Sequence, residues 1–406
     1  MKILIHTQYY PPEIGAPQNR LHDLAVRLKK LDVEVEVLTA MPNYPAMKIH
    51  EEYKGKFYKK EQIDEINVFR SWIFVTKSKG VFLRLLNYFS FVFSSFWIGW
   101  FKTRKYDYIL CESPPLFLGI TTFLLCKLKG AKMIFNVSDL WPESAEKLDL
   151  VSNKFFLKMA YKLEAFLYKK TSIITGQTKG IVEDIKARFL ETNPYWLPNG
   201  VDLDFFDSES KLDLSWRVEN GYNPEDVLFL YAGIIGHAQG LEVILKAAKL
   251  IKNPNIHFVM VGDGPLKTEL LALKNKLNLD NLKFYPSIPK KEIFRVIQSV
   301  NSVIVPLRKL DLFLGAIPSK IFENLAMKKA LLLGVDGESR QLFITEGKCG
   351  LYFEPENEVE LAKQINFLMN NPEKTEELGE NGLSYVEKHF NRRIIAKDFK
   401  EFLNSK

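Results

Sequence analysis

Residues 226–245 read DVLFLYAGIIGHAQGLEVIL. A β-branched and aromatic run, DVLFLYAG, ends in a turn carrying Gly233, Gly236 and Gly240 and passes into a helix. The unit then recurs. NIHFVMVGDG (255–264), NLKFYP (281–286), NSVIVPL (301–307), KALLLG (329–334) and GLYF (350–353) alternate with helical patterns, which predicts an α/β domain of about 160 residues. The first half shows the same alternation. KILIH (2–6), VEVEVL (33–38), INVFRSWIF (66–74), YDYILC (106–111), AKMIFNV (131–137), TSIIT (171–175) and YWLP (195–198) read as strands between helical segments, including 18–30, about 81–102, 154–170 and 179–189. Such alternation predicts mostly parallel sheets covered by helices on both faces. Asn199 to Glu225 reads as a loop-like linker. Two such domains on one linker create a cleft, with ligands at the carboxyl ends of the strands.

The size agrees: 406 residues correspond to two or three domains at about 150 residues each. Hydrophobic residues at 47% and charged residues at 26% exclude disorder and disulfide scaffolds. Three cysteines (Cys111, Cys126, Cys349) are too few for a disulfide framework or a Cys-rich zinc site and point to a reducing, cytoplasmic compartment. The opening MKILIHTQYYPPE has no apolar core followed by a cleavage site, so no signal peptide is expected. The net charge is +7, but residues 1–200 hold 29 Lys+Arg against 20 Asp+Glu, so the first half carries the whole positive excess. That face suits phosphates or an anionic membrane surface.

Three loops could hold chemistry. TQYYPPEIGAPQNR (7–20) places Gly15 and Ala16 before a helix N-terminus, either as an anion-binding turn or as a plain one. It is not G-x-G-x-x-G, which disfavours an NAD-dependent oxidoreductase. In the second half, Gly236, His237 and Gln239 lie in a candidate diphosphate cradle, and Gly262 and Gly264 in VGDGP (261–265) form a tight turn after a strand. In GAIPSKIFENLAMKKALLLG (315–334), Pro318 fits a first helical turn, Ser319 and Lys320 lie near the helix N-terminus, and Glu323 follows one turn on. Phosphate at Ser319 and Lys320 with a ribose diol on Glu323 describes a nucleotide; the other reading is a solvated Glu323 paired with Lys320.

The ordered set TQYYPPEIGAPQNRLHDLAVRL, SDLWPES (138–144), LPNGVD (197–202), YAGIIG, VGDGP, PSKIFENLA and GLYFEP resembles glycosyltransferase family 4, retaining enzymes of the GT-B fold, from Lys2 to about Phe390. SDLWPES with PSKIFE is similar to the bacterial subgroup that includes fucosamine transferases of O-antigen and capsule synthesis. The resemblance implies two Rossmann-like domains. Residues 1–200 would bind acceptor, with about 388–406 packing back on them, and 201–387 would bind the nucleotide-sugar donor. It further implies UDP as the donor nucleotide, a lipid-diphosphate-linked glycan as acceptor, no metal and no other cofactor. Sugar transfer, in the hexosyltransferase class, would proceed by front-face attack with retained configuration. A donor phosphate oxygen would take the acceptor proton, with position and electrostatics supplied by the protein. Lys320 and helix amides would stabilise the leaving diphosphate, Glu323 would hold the ribose, and Asp139 would bind a sugar hydroxyl or orient the acceptor. The residues themselves fit uracil and guanine alike, and a hexose as well as an N-acetylated deoxyhexosamine.

The chain departs from the family pattern at three points. Gly315 stands where the family commonly has the first Glu of Glu-x7-Glu. The usual Arg and Lys of the second glycine loop fall near Gly236 and Gln239. Ser138 replaces the common His before Asp139. A nucleotide-sugar epimerase of the same fold is the rival reading, with Asp139, Glu143 and His237 as its acid–base candidates. Asp202-x-Asp204 has metal-binding spacing but lies in the linker, and the six histidines include no i, i+4 pair, so no metal site is expected. A nucleic-acid partner is not expected, because no recognition module accompanies the charge.

VFLRLLNYFSFVFSSFWIGWFKTRK (81–105) runs from Leu85 to Phe101 without a charge, the short end of a membrane span. Arg84, Asn87, Ser90 and Ser94 form a polar stripe, the segment lies between two strands of one sheet, and basic residues (Lys77, Lys79, Arg84; Lys102, Arg104, Lys105) flank both ends, which argues against spanning. Either it is a buried helix, or Phe89, Phe93, Trp97 and Trp100 with the Lys-rich loop Lys48 to Lys60 dock peripherally on anionic lipid at the inner face of the cell membrane.

Overall fold

The structure, a computed structural model, describes residues 1–13, 15–44, 47–76, 81–147, 151, 153–205 and 214–406. It divides into two compact units, Met1–Asn199 with Arg392–Lys406, and Gly200–Asn391. The strands of the first are β1 (Lys2–His6), β2 (Glu34–Ala40), β3 (Tyr58–Ile63), β4 (Ile66–Ser71), β5 (Tyr108–Ser113), β6 (Lys132–Val137), β7 (Ile173–Gly176) and β8 (Tyr195–Trp196). Its helices are α1 (Ala16–Lys30), α2 (Val81–Lys102), α3 (Leu118–Lys129), α4 (Glu143–Lys147), α5 (Lys154–Lys170) and α6 (Lys179–Arg188). The second unit holds α7 (Ser215–Glu219), β9 (Val227–Ala232), α8 (Glu242–Leu250), β10 (Ile256–Val261), α9 (Lys267–Leu277), β11 (Leu282–Tyr285), α10 (Lys290–Ser299) and β12 (Ser302–Pro306). It continues through α11 (Lys320–Ala326), β13 (Ala330–Gly334), α12 (Glu338–Arg340), β14 (Gly350–Tyr352), α13 (Glu358–Asn370) and α14 (Pro372–His389); α15 (Arg392–Asn404) returns to the first unit.

The first sheet runs β3-β4-β2-β1-β5-β6-β7-β8. Alternation along β1 sends Leu4 to one core, with Phe91, Leu125 and Phe135. Ile3 and Ile5 go to the other, where α1 and α15 supply Leu21, Leu28, Phe399 and Leu403. Tyr108 donates from its hydroxyl to Leu403 O at 2.9 Å, and Tyr195 stacks on Phe402 with centroids 4.1 Å apart.

Three expectations change. The segment read as a Lys-rich loop contains β3, which pairs antiparallel with β4. Its polar sequence carries no core signal because it is an edge strand, held through its backbone and through Glu61, which pairs with the fully buried Arg70. β4 stops at Ser71 rather than Phe74, because Ser90, Ser94 and Asn87 of α2 take up the next backbone groups. The linker read as loop contains α7, whose buried Arg217 donates to Ser299 O, Pro224 O (3.0 Å), Asp226 O (2.8 Å) and Asn301 Oδ1 (2.7 Å).

The second sheet runs β11-β10-β9-β12-β13-β14, all parallel. The turns after β9 and β10 pack backbone to backbone: Ile235 N–H donates to Asp263 O at 2.9 Å and Leu266 N–H to Ile235 O at 3.1 Å. A Cβ on Gly262 would lie 1.9 Å from Gly233 O, and one on Gly264 2.3 Å from Ile235 O, both at strongly positive φ. Gly262→Ala should therefore destabilise the protein by on the order of 3 kcal/mol in chemical denaturation. Unchanged stability would mean that this glycine serves a ligand and not the loop packing.

Candidate active site

In the second unit, the start of α11 is set by the loop before it. Glu338 N–H donates to Leu314 O at 2.7 Å, and Ser339 Oγ to Ala316 O at 2.6 Å. Ser319 is the N-cap residue but its side chain caps nothing, and Pro318 precedes the helix instead of opening it. Lys320 then extends over the ring of Tyr231, with Nζ 3.9 Å from the centroid. A Cβ on Gly233 would come within 2.7 Å of the same Nζ, so the glycine makes room for the ammonium. Lys320 has no ion pair or hydrogen bond among the described residues. The enclosing atoms push its pKa down to about 7, although the Glu323 carboxylate pulls the other way. An unpaired, desolvated ammonium is a site for an anion.

Gly236, His237 and Gln239 lie on the neighbouring turn. Gly236 N–H makes no hydrogen bond among the described residues, while its Cβ position faces Gln239 Oε1 at 3.1 Å. His237 lines a polar cavity of about 290 Å³ with Gly240, Glu242, Lys246, Arg308 and Glu356, and the lining does not include Ser319, Lys320 or Glu323. Loop packing accounts for Gly262 and Gly264 as described. Asp202 Oδ1 accepts from Asp204 N–H at 3.1 Å, closing a local turn.

In the first unit, a cavity of about 250 Å³ opens at the carboxyl ends of the strands, lined by Thr7, Tyr9, Arg20, Glu112, Ser138 and Gln177 among others. Arg20 Nη2 bonds Glu112 Oε1 at 2.5 Å and Ser138 Oγ at 2.9 Å. Ser138 donates to the same Glu112 oxygen at 2.5 Å, and Asn136 Nδ2 donates to Glu112 Oε2 at 2.7 Å. Thr175 Oγ1 in turn donates to Asn136 Oδ1 at 2.7 Å. Neither Arg20 nor Glu112 was singled out from the sequence. The signals were an Arg in the first turns of α1 and a Glu at the end of an otherwise apolar strand. Asp139 lies just outside this lining and accepts from Ser144 Oγ at 2.7 Å. Asp139 is an exposed residue whose carboxylate pKa is raised by desolvation against the lowering effect of the Ser144 hydrogen bond. Gln18 folds over Gly15, placing Oε1 2.3 Å from a Cβ there, so the expected anion cradle is roofed by a side chain.

The chain matches the descriptions "Glycosyltransferase Family 4" over residues 18–205 and "Glycosyl transferases group 1" over 214–384. It is 27% identical to the Escherichia coli (strain K12) protein WcaI, whose name assigns it to colanic acid biosynthesis as a glycosyl transferase, over 80% of this chain and 81% of that one. A Campylobacter jejuni N-acetylgalactosaminyltransferase, named for a diphospho-undecaprenol-linked acceptor, is 23% identical over 62% of this chain and 63% of its own. The fold matches HepE of Anabaena in complex with UDP and glucose (TM-score 0.74, 16% identity, 100% of both chains). It also matches sucrose-phosphate synthase of Thermosynechococcus elongatus (TM-score 0.75, 15% identity, 100% of this chain and 98% of that one). The protein is a glycosyltransferase of the GT-B fold.

In the glycosyltransferase, α2 buries its polar stripe together with Phe91 and Ile98 and leaves most of its other aromatic rings outside. Asn87, Ser90 and Ser94 are buried at 5%, 9% and 0% exposure, whereas Phe89, Phe93, Trp97 and Trp100 are exposed at 42%, 63%, 37% and 41%. The polar stripe faces the sheet: Asn87 bonds Gln8 and Phe74 O, Ser90 accepts from Phe74 N–H, and Ser94 bonds Ser71 Oγ. Gly99 lets the helix sit close, since a Cβ there would meet Leu125 at 2.6 Å. Ile120, Leu124 and Leu128 of α3 and Phe155, Met159 and Phe166 of α5 are exposed as well. Phe123 meets Phe166 with ring centroids 5.2 Å apart. Beside them Lys154, Lys158 and Lys162 are exposed without an ion pair among the described residues. The Lys48–Lys60 segment supplies less free charge than expected, because Lys48 and Lys54 pair with Glu51, and Lys59 with Glu61. Lys77, Lys79 and the Arg84 side chain lie outside the described residues. Among the described residues, no helix is long and apolar enough to cross a membrane.

The Lys320 ammonium should titrate near neutrality. Competitive acetylation mapped by mass spectrometry should give a midpoint near pH 7 for Lys320, against about 10 for exposed lysines. Glu323→Gln should lower the Lys320 midpoint further, since the carboxylate raises it. A Lys320 midpoint at the ordinary value would show that its ammonium is solvated.

Proposed function

We propose that the protein is a retaining, metal-independent glycosyltransferase that moves a sugar from a UDP-sugar to a lipid-diphosphate-linked glycan in bacterial surface polysaccharide synthesis. The donor sugar is an N-acetylated deoxyhexosamine under the fucosamine-transferase likeness. The observation that carries the reading is Lys320, an ammonium without an internal partner, held between Tyr231 and Gly233 at the start of α11. A diphosphate would supply negative charge beside the ammonium, and the growing charge on the leaving group would be stabilised by it. Gly236 N–H and Ser319 offer further donors, Glu323 one turn on takes the ribose diol, and Asp139 serves the acceptor side. WcaI by its name and HepE by its bound UDP support the polysaccharide and nucleotide parts of this reading. The test is calorimetry with UDP in EDTA. Binding above pH 7 should take up a proton as Lys320 recharges, so affinity should fall as pH rises from there toward the ordinary lysine value of 10.5. Glu323→Gln should weaken UDP by roughly 1–3 kcal/mol. Absence of binding in EDTA with recovery on adding Mg²⁺ would overturn metal independence, and unchanged affinity of Glu323→Gln would overturn the ribose role.

The same reading places the enzyme on the cytoplasmic face of the cell membrane, as a peripheral protein. A water-soluble helix ordinarily buries its apolar stripe. α2 buries Ser90, Ser94 and Ser95 and exposes Phe89, Phe93, Trp97, Trp100 and Phe101, and α3 and α5 extend that surface up to a row of lysines without an ion pair among the described residues. An apolar ridge beside positive charge fits anionic lipid, and docking would bring a lipid-linked acceptor to the protein. Wild-type protein should sediment with anionic liposomes at low salt and release as salt rises. Phe93→Ser with Trp97→Ser should weaken this with no loss of fold, because both rings are exposed. Indifference of the wild-type protein to such liposomes would overturn the membrane reading.

A further inference from the structure

The turns after β1 and β2 leave the first sheet side by side, since the two strands pair in parallel from Lys2 with Glu34 to His6 with Leu38. The ladder ends with Thr7 N–H on Leu38 O at 3.1 Å. Beyond it, among the described residues, 8–13 and 41–44 exchange no backbone hydrogen bond with each other. Side chains join them instead. Thr39 Oγ1 donates to Gln8 O at 3.2 Å, and Arg70 donates to both Ala40 O and Pro11 O. The last link is Glu13, only 3% exposed. Its Oε1 accepts from Asn43 N–H at 2.7 Å and from Tyr44 N–H at 2.8 Å, and its Oε2 from Tyr10 N–H at 3.2 Å. One carboxylate thus grips both turns by their backbones.

Folding alone does not call for a charge here. Burying a carboxylate is costly even when it is hydrogen-bonded, and the amides of an edge turn can be satisfied by water. What the carboxylate adds is geometry. Three N–H donors converge on a group that carries acceptors only, whereas an amide side chain would turn its NH₂ toward one of them. The outcome is a fixed placement of two rings. Tyr9 and Tyr44 meet edge to face with centroids 5.8 Å apart, and both are half-buried. Neither ring belongs to a hydrophobic core of the unit, and the Tyr44 hydroxyl has no partner among the described residues. Tyr9 lines the cavity at the carboxyl ends of the strands. We infer that Glu13 is a positioning residue for acceptor binding, acting through the turn after β2 to hold Tyr44 against Tyr9. Glu13 itself is enclosed and meets no substrate. This role rests on the first unit as the acceptor side, but not on UDP as the nucleotide.

The test compares the wild-type full chain with Glu13→Gln, Tyr44→Ala and the two combined. Hydrogen exchange read by NMR should show the Asn43 and Tyr44 amides exchanging about tenfold faster or more in Glu13→Gln. Calorimetry then reads two kinds of ligand: UDP, and acceptor probes in which citronellyl diphosphate carries N-acetylglucosamine, N-acetylgalactosamine or glucose. At least one probe should bind the wild-type chain. Glu13→Gln and Tyr44→Ala should each weaken it by about tenfold, and the combined variant no further than the weaker-binding single one, with UDP affinity unchanged throughout. A merely structural Glu13 would lower UDP and probe affinity together and add to the effect of Tyr44→Ala, which overturns the positioning role. Unchanged exchange at Asn43 and Tyr44, or binding of none of the probes by the wild-type chain, overturns it too. Should Glu13→Gln fail to fold, Glu13→Asp takes its place, keeping the charge on a side chain one methylene too short to span both turns. Probe binding without UDP binding overturns the nucleotide assignment and leaves the role of Glu13 standing.

Discussion

The parallel pairing of β1 with β5 and of β9 with β10 governs where every reactive group can lie. Register sets His6 beside Cys111 and Ala232 beside Val261. The next residues along each pair of strands then leave the sheet together. In the first unit this brings the turn after Thr7 beside Glu112 and its partner Arg20. In the second it presses Gly233 against Gly262 so closely that neither turn has room for a side chain at 262. Slippage by one residue would send every side chain of a strand to the opposite core, so the two differently packed faces of each sheet enforce the alignment that the chemistry uses.

Buried charge is distributed unevenly over that frame. Arg70 has Glu61 and backbone carbonyls, Arg217 has carbonyls and Asn301, and Lys329 is held by the carbonyls of Gln298 and Val300. These groups are satisfied, and their roles end with the fold. Lys320 differs: burial lowers its pKa as it does that of Lys329, but its neighbours are an aromatic face and a glycine, with no carbonyl or carboxylate hydrogen-bonded to its ammonium among the described residues. Arg20 stands between these cases, paired with Glu112 at the wall of a cavity. The contrast separates structural cations from those left for a ligand more sharply than residue type does.

Helix α2 shows how far pattern reading reaches. Its serines and Asn87 read as a polar stripe, and a polar stripe on a surface helix normally meets water. Here the strand edge beneath it ends early, leaving backbone groups of Trp72 and Phe74 to be satisfied, and those side chains satisfy them. Phe89, Phe93, Trp97 and Trp100 lie outside as a consequence, while Phe91 enters the core. The one-dimensional pattern contains both faces but carries no mark of which one the sheet will take.

By itself the sequence determined the repeated strand–turn–helix grammar, two α/β units, the glycines after β9 and β10, and the PSKIFE segment with Lys320 and Glu323. These are local or periodic features, and their physics is contained within a few neighbouring residues. The tertiary structure decided the rest. β3 was hidden because an edge strand needs only backbone pairing and a buried Glu61–Arg70 contact across strands. Arg20 and Glu112 are 92 residues apart in sequence, so nothing local links them. Whether a lysine is paired, whether a serine is saturated and which face of a helix meets solvent are properties of what surrounds a side chain in space, and only the folded chain supplies those surroundings.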